Sequence, residues 1–262
     1  MIIFLGVSVL NDYAEYDDSW DDWDDGYGYS ESADFSGSCN VAGIALQGEL
    51  YTYAYEDAET TTTGSEDIVF LIEEATKTEN IKAILFEIDS LGGTPVAAQE
   101  IEQALKRVEI PTVALIREYG DSAAYWAATG ADTIFASKLS DVGSIGVTAS
   151  YFDSNEFNNK EGYTFNQLST GKFKDMMSPE KELTKEERGL IMRDLKIIHN
   201  EFVQTVAENR KLSIAKVALI ADGSSMLGEA ALNAGLIDQL GGEYEVKSFL
   251  TEKLGEEVEI CW

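Results

Sequence analysis

The chain has 262 residues, 44% of them apolar and 26% charged, which suits one folded domain of roughly 200–250 residues with a tail and excludes a mini-protein or a wholly disordered chain. Nineteen Lys and Arg against 48 Asp and Glu leave a formal charge of −29; with no basic patch to offset it, nucleic acid is not an expected partner. A single histidine, His199, excludes any mechanism or metal site that needs two.

Residues 1–10, MIIFLGVSVL, are apolar but amount to half of the roughly 20 residues that span a bilayer, and are read as the remnant of an N-terminal membrane anchor. Residues 11–35 carry ten Asp and Glu and seven aromatics without a helical or strand period, so 11–38 is expected to be an acidic, aromatic-rich disordered linker. No Lys or Arg precedes Lys77. The positive-inside bias then predicts a cell-membrane protein, held by a single-pass anchor, with the domain at 39–262 on the extracytoplasmic side. Cys39 and Cys261 form no metal spacing; two free thiols are the favoured reading, with a disulfide as the alternative.

From residue 40 onward, strand and helix patterns alternate. VAGIAL (41–46) reads as a short strand, Ser65 to Lys77 as a helix, and IKAILFEI (81–88) as a buried parallel strand. Thr94 and Pro95 open a helix with Ile101, Leu105 and Val108 on one face, and TVALI (112–116) completes a βαβ unit. A short helix is expected near Ser122, then strands at 133–136, 144–149 and 164–168. Thr184 and Glu187 form a capping box ahead of a long helix striped by Ile191, Leu195, Ile198 and Phe202. Helices follow at about 214–221 and 228–234, and Gly235 is read as a helix stop.

Three strand ends carry unusual residues: Asp89-Ser90-Leu91-Gly92-Gly93, Gly120-Asp121-Ser122-Ala123-Ala124 and Gly143-Ser144-Ile145-Gly146. In α/β proteins, sites are built at such ends. Gly92 and Gly93 fit a tight turn, and equally a backbone that approaches a ligand closely and holds a developing oxyanion. Ser122 fits a helix cap or a nucleophile. As a nucleophile without histidine it needs a carboxylate or a neutral lysine as base, and Lys174 is the candidate lysine.

The stretches DSLGGTP (89–95), SAAYWAATGADTIFAS (122–137), DVGSIGV (141–147), TGKFKDMMSPEKELTKEE (170–187) and ADGSSMLGEAALNAGLIDQLGG (221–242) occur in order. Together they resemble the signal peptide peptidase A family of the short, single-domain type, over residues 40 to about 250. The resemblance implies an α/β, ClpP/crotonase-like fold with a parallel β-sheet core, βαβ units and flanking helices. It implies a serine endopeptidase with a Ser/Lys dyad that degrades remnant signal peptides and other hydrophobic peptides at the membrane. Ser122 falls on the nucleophile, Lys174 on the general base, Ser144 on the serine that orients the lysine, and Gly92, Gly93 and Ala123 on the oxyanion donors. No metal and no cofactor is implied. The implied assembly is a homo-oligomer, expected to be an octamer, with sites shared between neighbouring subunits. A catalytically inactive membrane-associated scaffold of the same fold, or a capsid-maturation-type protease, are the alternatives.

Three positions depart from the family pattern: Leu91 in place of proline, Asp121 ahead of the nucleophile, and Ala123-Ala124 in place of two glycines. A lysine base must fall by roughly 3 pKa units, about 4 kcal/mol supplied mainly by burial. Lys174 is therefore expected to be desolvated, with Asp121 and Asp175 pointing away from its ammonium.

Overall fold

Alternating short apolar runs and amphipathic stretches fold here into a parallel sheet with helices on both faces. The structure, a computed structural model, describes residue 35, residues 37–55 and residues 60–262. In chain order the elements are β1 (Val41–Tyr51), β2 (Thr62–Gly64), α1 (Ser65–Lys77), β3 (Ala83–Gly93), α2 (Pro95–Lys106), β4 (Thr112–Asp121), α3 (Ala123–Ala128), β5 (Thr133–Ala136) and β6 (Asp141–Gly143). They continue with α4 (Asn155–Lys160), α5 (Lys185–Asn209), α6 (Ile214–Ala218), β7 (Ser225–Leu227), α7 (Gly228–Ala234), β8 (Gln239–Leu240), α8 (Glu243–Leu254) and β9 (Ile260–Cys261).

The sheet runs β2-β1-β3-β4-β5-β8, with β9 beside β1, β6 beside β4, and β7 beside β6. Every pairing is parallel except β6 with β7. Alternation along β3 divides the core. Ile84, Phe86 and Ile88 face a large cluster shared with α1, α2, α3 and α5, while Ala83 and Leu85 face a smaller one closed by Val246 and Leu250 of α8. The expected α/β fold class, with its parallel sheet, βαβ units and flanking helices, is the one observed.

Two expected strands are absent. At 144–149 the chain leaves the sheet, because Gly143 (φ 105°) and Ser144 (φ 49°) turn it away after β6. At 164–168 the alternating TFNQL has no partner strand and stays irregular and exposed. Helix α8 is an element that the sequence patterns did not single out.

The expected single-pass anchor is corrected. Among the described residues no helix is long and apolar enough to cross a membrane, and the cell-membrane placement with an extracytoplasmic domain is withdrawn with it. Helix α5, the longest among the described residues, has 25 residues but carries charges from Lys185 to Glu208. Residues 1–10 and most of the segment read as a linker lie outside the described residues.

The two cysteines are joined. A disulfide links Cys39 to Cys261 across 222 positions with the Cα atoms 5.7 Å apart, which corrects the expectation of two free thiols. It tethers Cys39, two residues ahead of β1, to β9, whose Ile260 and Cys261 pair in register with Val41 and Ala42.

Candidate active site

The three strand ends meet. β4 ends in Asp121, and the chain reverses through Ser122 (φ 50°, ψ −122°) into α3. A non-glycine residue with positive φ is sparsely populated and stores about 1–3 kcal/mol; a strained serine between a strand and a helix is the geometry that lifts a hydroxyl clear of a sheet. Ser122 N–H donates to Gly143 O at 2.7 Å, and Ser122 O accepts from Trp126 N–H at 3.0 Å, so β6 and α3 fix the turn.

Helix α3 explains the two alanines. Ala123 and Ala124 are its first two residues and both are buried. The positive φ falls on Ser122 instead, and α3 packs against α2 and β3. Small side chains with high helix propensity suit that position better than glycine. Trp126 stacks on Phe202 of α5 with ring centroids 4.7 Å apart, and Tyr125 Oη donates to Leu236 O at 2.8 Å.

Gly92 lies against the serine. It has φ 115°, and a Cβ built on it would stand 2.9 Å from Ser122 Cβ, 3.0 Å from Asp121 O and 3.1 Å from Ala123 N. Its own N–H donates to Ser90 Oγ at 3.1 Å. Gly93 is confined by β1, since a Cβ there would stand 1.9 Å from Leu50 O. Ser144, just past β6, donates its Oγ proton to Gly223 O at 3.1 Å, and Gly223 N–H donates to Ile145 O at 3.1 Å. The segment after α6 thereby holds the third strand end.

Lys174 stands apart from this group. It lies in a turn closed by Lys174 N–H donating to Gly171 O at 3.0 Å, and its side chain is exposed rather than desolvated. Among the described residues no hydrogen bond joins it to Ser122, and no ion pair within 4 Å joins it to Asp121 or Asp175. Lys172 is paired with Glu186. The whole stretch 146–186 contains no buried residue, and it exposes Phe152, Phe157, Tyr163 and Leu168.

Asp121 is buried with its Oδ1 unpartnered among the described residues. Burial first, and then the nearby Asp141 carboxylate, push its carboxyl up to about 6. A cavity of about 680 Å³ lies on the α8 face among Glu87, Asp89, Glu118 and Glu243 with Arg117, and Ser122 does not line it. Among the described residues no group of three or more His, Cys, Asp or Glu side chains is placed to hold a metal ion.

A sequence model described as peptidase family S49 matches residues 104–257. The chain is 30% identical over 219 residues to a candidate protease of Methanocaldococcus jannaschii, covering 81% of this chain and 70% of that one. It is 32% identical over 164 residues to a candidate signal peptide peptidase of Enterococcus faecium, covering 62% of this chain and 48% of the relative, about half its length. Among solved structures it is similar to a ClpP1 mutant from Listeria monocytogenes, with a TM-score of 0.49, 11% identity, and coverage of 78% of this chain and 92% of that chain.

Proposed function

The chain belongs to peptidase family S49, and from that premise we propose that it is a serine endopeptidase acting through a Ser122/Lys174 dyad on extended hydrophobic peptides, remnant signal peptides among them. The observation that carries the reading is the strained Ser122 turn packed against Gly92 at the C-terminal end of the parallel strand β4. In the proposed reaction neutral Lys174 takes the Ser122 proton and Ser122 Oγ attacks the peptide carbonyl. Backbone N–H groups of the Gly92–Gly93 loop and Ala123 stabilise the oxyanion. Lys174 then protonates the leaving amine and activates the water that hydrolyses the acyl-enzyme.

An exposed lysine cannot serve as that base, because in water its ammonium keeps the proton. The reading therefore includes a homo-oligomer, an octamer being the expected form, in which a neighbouring subunit covers the segment around Lys174. Support comes from the apolar side chains that 146–186 leaves exposed, Phe152 at 94% and Leu168 at 98%.

The test is hydrolysis of a fluorogenic apolar peptide by the full chain beside Ser122→Ala and Lys174→Ala. Activity in the parent and its loss in both variants, each folded as judged by circular dichroism, is the expected result. Full activity in Lys174→Ala moves the base elsewhere, and an inert parent between pH 6 and 10 leaves the scaffold reading.

A further inference from the structure

Ser90 sits on β3 where both neighbouring strands lose register. From Gln47 to Glu49, β1 advances two residues while β3 advances three, from Asp89 to Gly92. From Ile116 to Gly120, β4 advances four residues while β3 advances two, from Ile88 to Ser90. Such irregularities bend a strand and leave ladder donors and acceptors without their usual partners, and a buried backbone group must find another. Ser90 supplies a partner to β1 and to its own strand: its Oγ donates to Gly48 O at 2.5 Å and accepts the Gly92 N–H at 3.1 Å, from a residue only 2% exposed. Gly48 cannot follow if that link is lost, because it is wedged against Thr61, whose O would lie 2.0 Å from a Cβ at position 48.

We propose that Ser90 is a positioning residue of the peptidase reaction: its hydroxyl fixes the Gly92–Gly93 loop against Ser122 and, by engaging the Gly92 N–H, leaves Gly93 and Ala123 as the oxyanion donors. The direction of the next amide agrees. Thr94 N–H points at β1 and donates to Leu50 O at 2.8 Å; in an extended segment the preceding N–H, that of Gly93, points to the opposite edge, where β4 leads into Ser122. This inference rests on the serine peptidase reading above and refines it. Ser90→Ala leaves Gly48 O and Gly92 N–H without their partner in a buried place, so the loop shifts to satisfy them. A displacement of that kind harms the transition state more than the bound substrate.

The experiment compares the full-length parent with Ser90→Ala and Ser90→Thr, measuring kcat and KM on an apolar peptide, affinity for a peptide boronate that forms a tetrahedral adduct with serine, and hydrogen exchange at the Gly92 amide. Ser90→Ala is expected to lower kcat by about 10- to 100-fold with KM little changed, to weaken the boronate by a similar factor, and to speed Gly92 exchange. Ser90→Thr, which keeps the hydroxyl, is expected to recover most of both losses. Unchanged kcat and boronate affinity in Ser90→Ala, or Gly92 exchange equal to the parent's, overturns the proposal. If Ser90→Ala does not fold, Ser90→Cys, a near-isosteric weak hydrogen-bonding group, takes its place with the same readouts. An inactive parent defeats the peptidase reading, while Gly92 exchange in the variants still decides whether the hydroxyl holds the loop.

Discussion

Ser122 carries backbone strain that its own side chain does not require, and its neighbours hold it there: Gly143 O takes its N–H, and Gly92 comes close enough that only a hydrogen fits. Asp121 adds a second unfavourable feature one residue away. With its folded-state value raised from 3.8 to about 6, the native chain holds a proton between those values that the unfolded chain has released. Stability therefore falls as pH rises from about 4 to 6 and stays lower above that window. Asp121→Asn removes the penalty, so it is expected to raise stability at pH 8 by up to about 3 kcal/mol and to give little gain at pH 4. Thermal unfolding of parent and variant at the two pH values checks this, and an equal shift at both contradicts the assignment. That glycines and serines stand at the strand ends was legible in the sequence. The burial of Asp121 beside Asp141 was not, because it depends on β6 lying against β4, a pairing formed by three residues of each.

Elements with strong local signals stand where their patterns put them. Helix α1 spans Ser65–Lys77 as read, Thr184 and Glu187 cap α5 reciprocally, and Lys181 and Thr184 hold the Glu187 carboxyl down at about 2. Gly235 ends α7 in the left-handed conformation. The failures share a cause: SIGVTA and TFNQL have strand-like composition, but strand propensity expresses itself only against a partner, and the positive φ at 143 and 144 sends the chain away from one. Helix α8 has a weaker local signal: Val246, Phe249 and Leu250 form a stripe at helical spacing, but charged residues interrupt it. For the exposed stretch 146–186, Phe152→Asp combined with Leu168→Asp should lower the proposed oligomer to a smaller species by light scattering and cut the proposed peptidase activity on the order of tenfold or more. An unchanged mass removes this stretch as the subunit contact.

For the molecule as a whole, the disulfide is the constraint that the sequence concealed, because a separation of 222 positions gives no local sign of proximity. In the chain-entropy picture, closing so long a loop restricts the unfolded state by up to about 5 kcal/mol. Cys39→Ser paired with Cys261→Ser is expected to lower Tm by about 10–20 °C, given roughly 2–4 °C per kcal/mol for a domain of this size. Calorimetry in the absence of reductant measures it, and a shift below a few degrees would mean that the terminal strands hold without the bond. The parallel order of the central strands was readable from the alternation of buried runs and helices. The pairing of β9 with β1 was not, resting on two residues at each strand.

Between Cys39 and Cys261 the polypeptide is, topologically, a ring. A single backbone cut within the exposed 161–170 stretch yields a linear molecule with new ends and no loss of mass, and the fragments part company only when the sulfurs are reduced. The same closure places Cys39 beside Cys261, so the stretch between them can be rewired to begin at Gly162, whose surroundings are open, without moving any strand of the sheet.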